Sequence, residues 1–156
     1  MLIRPACLED YPDFGRLYLE INDLHAAAHP DLFAPTRIPP HDEEDFQIML
    51  CDPNQAVFIA EVDGQAAGFI DVVLREAPLL EILMPRLFGV VDSIGVNAGF
   101  RRQGIGEALM QCAARWAAEK GATSLELTVY EFNQSAIAFY ERLGYTPLSR
   151  KLSKSL

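Results

Sequence analysis

The residues best suited to chemistry gather in one stretch, Val91-Asp92-Ser93-Ile94-Gly95-Val96-Asn97-Ala98-Gly99-Phe100-Arg101-Arg102-Gln103-Gly104-Ile105-Gly106-Glu107. It reads as a β-strand, a short turn, an Arg- and Gly-rich loop and the opening of a helix. A helix N-terminus leaves its first amides without intrahelical acceptors and carries partial positive charge. Those features suit a diphosphate. Gly104 and Gly106 remove the side chains that would hold a ligand away from the backbone. Arg101 and Arg102 bring permanent charge to the same mouth. Two phosphate-loop patterns fail here. A P-loop requires Lys-Ser or Lys-Thr after Gly104, where Ile105 and Gly106 stand. A dinucleotide fingerprint requires a third small residue where Leu109 stands. The pattern left is Arg101-x-x-Gly104-x-Gly106 after a strand.

Other reactive residues form weaker patterns. Cys7, Cys51 and Cys112 are odd in number and widely spaced, without CxxC or metal-site spacing. Reduced thiols in a cytoplasmic protein are the expectation. His25 and His29 lie four apart and can share a helix face, but no H-E-x-x-H motif and no third ligand accompany them. No metal is expected.

The chain of 156 residues reads as a single domain spanning 1–156, and its 50% apolar content supports a sizeable core. No apolar run reaches membrane-spanning length, and Met1-Leu2-Ile3-Arg4-Pro5 does not resemble a signal peptide. A cytoplasmic protein without membrane contact is expected. The net charge of −9 is uneven: residues 1–95 carry a balance of −12 and residues 96–156 one of +3. The basic half contains the phosphate loop. The acidic half favours a cationic second substrate such as an amine, or simply keeps the surface soluble. Nucleic acid is not an expected partner, because phosphate neutralisation requires a basic face.

These residues need elements to position them. Leu2–Ala6 reads as an edge strand, and Tyr11–His29 as a helix with Phe14, Leu17, Tyr18, Ile21 and Leu24 at helical spacing. Pro30 ends it, and the Asp31–Pro40 loop follows. His41–Cys51 reads as a second helix with an acidic start. Ala56–Val62 and Ala66–Leu74 flank the turn signal Asp63-Gly64 and predict an antiparallel hairpin. Glu76–Phe88 reads as an irregular apolar loop that covers a pocket or partner, or folds onto its own core, the last being the preferred expectation. Val90–Val96 is the strand before the phosphate loop, and Gly104–Lys120 an amphipathic helix. Leu125–Tyr130 alternates as a strand, Asn133 caps a helix over Ser135–Leu143, and Tyr145–Leu152 is predicted as a last strand.

A second motif lies downstream: Asn133-Gln134-Ser135-Ala136-Ile137-Ala138-Phe139-Tyr140-Glu141-Arg142-Leu143-Gly144-Tyr145. With Arg101-x-x-Gly104-x-Gly106, it resembles the signature of the GNAT family of N-acetyltransferases. The two motifs come in the expected order, each at a strand–helix junction. The resemblance implies an α/β (α+β) fold, with a mixed, mostly antiparallel central sheet flanked by helices on both faces. It implies that the strands holding Val90–Val96 and Leu125–Tyr130 splay apart, with acetyl-CoA as co-substrate in the gap. Residues from about 91 to 156 then form the acetyl-CoA half, and residues 1 to about 90 the acceptor half.

By the same resemblance, backbone groups of Ile94, Gly95 and Val96 would hold the acetyl-pantetheine arm. Amides of Arg102, Gln103, Gly104, Ile105, Gly106 and Glu107, with Arg101 beside them, would hold the pyrophosphate. Asn133 would hydrogen-bond the pantetheine, and Tyr140 would protonate the departing thiolate. The acceptor is a primary amine of a small molecule or of a peptide or protein. Such an amine is mostly protonated at neutral pH, with a pKa near about 10.4 for a Lys-like group, so a base must act on it. Asp92 is the first candidate and Glu126, on the adjoining strand, the second. Asp23, His25, His29 and Phe33 are expected to line the acceptor site. No cysteine is needed as an acyl carrier. A non-catalytic acetyl-CoA sensor on the same scaffold is the alternative, and a homodimer is compatible with the exposed-looking apolar loop.

Overall fold

The computed structural model describes residues 1–154. Five strands form one sheet in sequence order: β1 (Leu2–Pro5), β2 (Gln55–Val62), β3 (Gln65–Glu76), β4 (Leu87–Val96) and β5 (Leu125–Leu127). The first four pair antiparallel, and β5 joins β4 in parallel. Asp63 and Gly64, both at positive φ, make the tight β2–β3 turn. Helices α1 (Tyr11–Ala28) and α2 (Glu43–Cys51) cover one face. Helix α3 (Ile105–Glu119) covers the other, joined by α4 (Gln134–Arg142). The expected mixed sheet with helices on both faces is therefore what forms.

Two apolar layers follow from strand alternation. Phe58, Ala60, Ile70, Val72 and Val91 meet Ile105, Leu109 and Ala113 of α3. Val57, Ile59 and Phe69 meet Phe14 and Leu17 of α1 and Phe46 and Met49 of α2. Phe14 is the centre of the second layer, with ring centroids 4.6 Å from Phe46, 4.9 Å from Phe69 and 5.7 Å from Tyr18. α2 opens at Asp42, whose carboxylate accepts from Asp45 N at 2.9 Å. Asp10 ties the entry of α1 to β1 by accepting from Arg4 at 2.7 and 2.8 Å.

Three expectations change. The β3–β4 hairpin extends to Glu76↔Leu87, and its tip does not fold onto the core: Leu79 is 95% and Ile82 88% exposed. β5 stops at Leu127 rather than Tyr130. Residues 145–152 form no strand, and most are exposed. A strand there would need an edge to pair with, Pro147 has no amide to donate, and β5 is only three residues long.

The pairing of β4 and β5 positions the site. It comprises Gly89↔Leu125, Val90↔Glu126 and Val91↔Leu127. From Asp92 to Val96, β4 keeps β3 on one side and, among the described residues, has no strand on the other. At the point of divergence Asp71 pairs with Ser93 and Val72 with Val91, so Asp92 is the extra residue of a β-bulge. A bulge raises local twist and bends its strand.

Phe14→Ala should cost about 3–5 kcal/mol, because its ring is wholly buried and its neighbours are aromatic. Urea unfolding measures this. A loss under about 1 kcal/mol would mean that Phe14 does not anchor α1.

Candidate active site

The phosphate-loop residues arrive as uncapped backbone. α3 starts at Ile105 with Gly104 as its N-cap, and no side chain caps it. The first-turn amides are therefore left for a ligand. Gly104 adopts φ +81, and a Cβ there would meet nothing within 4 Å. Its value is conformational. Gly106 serves packing instead, since a Cβ there would lie 3.2 Å from the Phe139 ring. Ile105 is buried in the core, so its amide alone is available. Arg101, Arg102, Gln103 and Gly104 are exposed. Arg101 Nε donates to Val96 O at 3.1 Å, and Arg102 sits at φ +65. The turn before the loop is pinned to α1: Asn97 Nδ2 donates to Glu20 Oε1 at 2.7 Å, and Asn97 Oδ1 accepts from Gly99 N at 3.0 Å.

The open edge of β4 faces the same space. Asn97 N donates to Ala67 O at 2.9 Å, toward β3. Backbone groups alternate in direction along a strand, so those of Ile94 and Val96 point to the side that β5 has left. Gly95 lies beneath α1, where a Cβ would come within 3.0 Å of Ile21 and 3.1 Å of Phe69.

Tyr140 stands on α4, packed with Phe139 and Tyr145 against the α3-side core. Its phenol pKa is pushed up to about 12, first by burial and then by Tyr145. The phenol is therefore in its proton-bearing form throughout the physiological range. Asn133 caps α4 through Oδ1, which accepts from Ala136 N at 3.2 Å and from Ser135 Oγ at 3.1 Å. Its Nδ2 is the part of the side chain left for a ligand.

Asp92 is exposed at the bulge. Glu126 is different: it lies on the closed part of the β4–β5 pair, and its carboxylate is committed to Arg86. Asp71, which the motifs do not single out, is 1% exposed next to this region. Its pKa is raised to about 6, first by burial, with the Asp92 charge adding to it and Gln55 opposing it through a 2.9 Å hydrogen bond. Above it, Ser93 Oγ donates to Tyr18 Oη at 3.0 Å.

The expected acceptor residues divide. His25, His29 and Phe33 come together, joined by Tyr130 and Phe132, which sequence reasoning missed. His25 Nδ1 lies 2.8 Å from Ile21 O, which sets Nδ1–H as donor to that carbonyl. Asp23 is not part of that group. It lines a groove of about 580 Å³ on the outer side of α1 with Tyr11, Arg16, Glu20 and Arg37. Positions 23 and 25 are roughly 200° apart on a helix of 3.6 residues per turn. No group of three or more His, Cys, Asp or Glu side chains able to hold a metal occurs among the described residues. No helix there is long and apolar enough to cross a membrane.

Burial of Asp71 has a testable sign. A carboxyl whose folded pKa is about 6, against about 3.9 unfolded, favours folding below pH 4 and loses that contribution as pH rises through 6. Asp71→Asn should therefore gain about 2–3 kcal/mol relative to wild type between pH 4 and 8. Urea unfolding across that range measures the difference. A constant difference would show that Asp71 is not held protonated by burial.

Comparison with known proteins bears on family and fold. Residues 18–145 match the model of the Acetyltransferase (GNAT) family. An uncharacterised N-acetyltransferase of Archaeoglobus fulgidus is 31% identical over 144 residues, covering 90% of this chain and 89% of that protein. Another, from Methanocaldococcus jannaschii, is 32% identical over 100 residues, covering 64% of this chain but only 43% of that protein. A solved mutant of the BH1408 protein from Bacillus halodurans has the same fold, with a TM-score of 0.94, 24% identity and coverage of 100% and 99% of the two chains. The chain belongs to the GNAT family of acetyltransferases.

Proposed function

We propose that the protein transfers an acetyl group from acetyl-CoA to a primary amine of a small molecule or a protein by direct attack in a ternary complex. The observation carrying this reading is the end of β4–β5 pairing, beyond which β4 is bonded to β3 alone and runs on into the loop before the uncapped N-terminus of α3. A likeness at 19% identity and TM-score 0.76 to an aminoglycoside N-acetyltransferase solved with CoA supports the fold alone. The acceptor half is then about 1–90, and the acetyl-CoA half about 91–156.

In this reading, first-turn amides of α3 take the pyrophosphate, with Arg101 and Arg102 adding charge. Ile94 and Val96 extend strand-like hydrogen bonds to the pantetheine amides, and Asn133 Nδ2 adds another. An amide of β4 near Val96 polarises the thioester carbonyl. The neutral amine nitrogen forms the new C–N bond as the C–S bond breaks. Asp92, directly or through water, takes the proton that the nitrogen loses. Tyr140 donates its phenolic hydrogen to the departing sulfur. A phenol near 12 is a weaker acid than a thiol near about 8.5. Its contribution is therefore hydrogen-bond donation as charge builds on sulfur, and the proton that nitrogen gives to Asp92 passes through water to the thiolate.

Thiol release from acetyl-CoA with a panel of amines tests this directly. Tyr140→Phe should lower kcat by at least about tenfold and leave the KM for acetyl-CoA near its wild-type value. An unchanged kcat removes Tyr140 from the chemistry. Acetyl-CoA binding without thiol release from any amine would point to a sensor instead.

A further inference from the structure

We infer that the acceptor is a primary monoamine carried on an apolar, ring-bearing body, and that this body docks on the aromatic wall of Phe33, Tyr130 and Phe132 beside His25 and His29. The inference rests on the acetyl-transfer reading and names its substrate class.

The rings are in mutual contact across distant parts of the chain. His25 lies 5.0 Å from Phe33 and 5.5 Å from both Tyr130 and Phe132, measured between centroids. Phe33 lies 5.2 Å from Tyr130, and His29 lies 5.3 Å from Phe132. They join the end of α1, the following loop and the segment between β5 and α4.

The wall stands at the opening. α1 crosses β3 at Phe69, with Phe14 and Tyr18 against it, and then β4, with Tyr18 on Ser93 and Ile21 against Gly95. One turn beyond Ile21, His25 meets Tyr130 and Phe132, which lie three and five residues after the end of β5 and precede Asn133. The cluster thus bridges the splayed strands on the α1 face, while Tyr140 packs on the α3 face. An amine held there approaches from the side opposite the phenol.

The cluster is not a closed core. None of its five residues is fully buried, Tyr130 is 41% exposed, and Leu24 and Leu32 beside it in sequence are exposed as well. An apolar patch at the mouth of a site marks a binding surface. Ring faces accept flat apolar groups and an adjacent cation. A polyamine or aminosugar would call for several free carboxylates. Beside the wall the carboxylates are the two surface groups Asp31, 3.5 Å from His29, and Glu131, 3.2 Å from Arg150, each set against a basic side chain, while the wall itself is ring surface. The geometry therefore favours one ammonium on an apolar body over a polycation.

The test measures kcat/KM for 2-phenylethylamine, n-propylamine, spermidine and kanamycin by thiol release. The inference expects 2-phenylethylamine to exceed each of the others by about tenfold or more. The 2-phenylethylamine to n-propylamine ratio should fall at least about fivefold in Tyr130→Ala and in Phe132→Leu. That ratio cancels any loss of folded enzyme. Preference for spermidine or kanamycin, or a ratio that neither substitution moves, would overturn the inference and leave acetyl transfer standing. Absence of a thermal shift with saturating acetyl-CoA would instead overturn the acetyl-transfer reading itself.

Discussion

Hydrogen bonding between β4 and β5 ends after three residue pairs, and the arrangement of the site depends on that ending. The closed end is tightly made. Gly89 N donates to Ser124 O and Thr123 N to Leu87 O, both at 2.9 Å. A Cβ on Gly89 would come within 2.8 Å of Leu125 and 3.0 Å of Ala117, so the strands and α3 meet there only because that side chain is missing. At Asp92 the bulge changes the direction of β4. Beyond it, each strand edge must find hydrogen bonds elsewhere. In the proposed reading an amide-bearing ligand arm supplies them along β4, and its diphosphate meets the helix end that no side chain caps.

The two faces of the sheet contribute different chemistry. The α3 face is apolar to its edge and holds Tyr140 in a desolvated setting that keeps the phenol protonated. The α1 face carries the polar and aromatic groups: Ser93 with Tyr18, the buried carboxyl of Asp71, and the ring wall around His25. Residues 1–95, which include α1 and α2, carry the acidic balance of −12. Under the proposed function, a cationic acceptor would meet the acidic half of the chain and an anionic co-substrate the arginines of the loop.

What the sequence made legible was local. The strand–loop–helix stretch around Gly104 and the cap at Asn133 are written in consecutive residues, because turns, caps and uncapped amides are short-range features. The strand pattern of Leu125–Tyr130 was legible but misleading past Leu127, since alternation reports a half-buried edge and not whether a partner strand is present. The Tyr145–Leu152 strand failed for the same reason, with Pro147 as the warning. Tyr130 and Phe132 meet His25 across roughly a hundred positions, and no spacing rule joins them. Two features did leave a signal. Asp71 is a lone acid in the apolar run Gly68-Phe69-Ile70-Asp71-Val72-Val73-Leu74, and helical periodicity already separates Asp23 from His25.

Hydrogen exchange at individual amides, with and without acetyl-CoA, tests the central claim most directly. The account predicts joint protection of two separated sets of amides, those of Ile94 and Val96 on the open edge of β4 and those of Arg102–Glu107 at the start of α3. Amides of the closed pairs at Gly89–Val91 should already be slow and change little. Protection confined to the groove on the outer side of α1, or none at saturating acetyl-CoA, would contradict it.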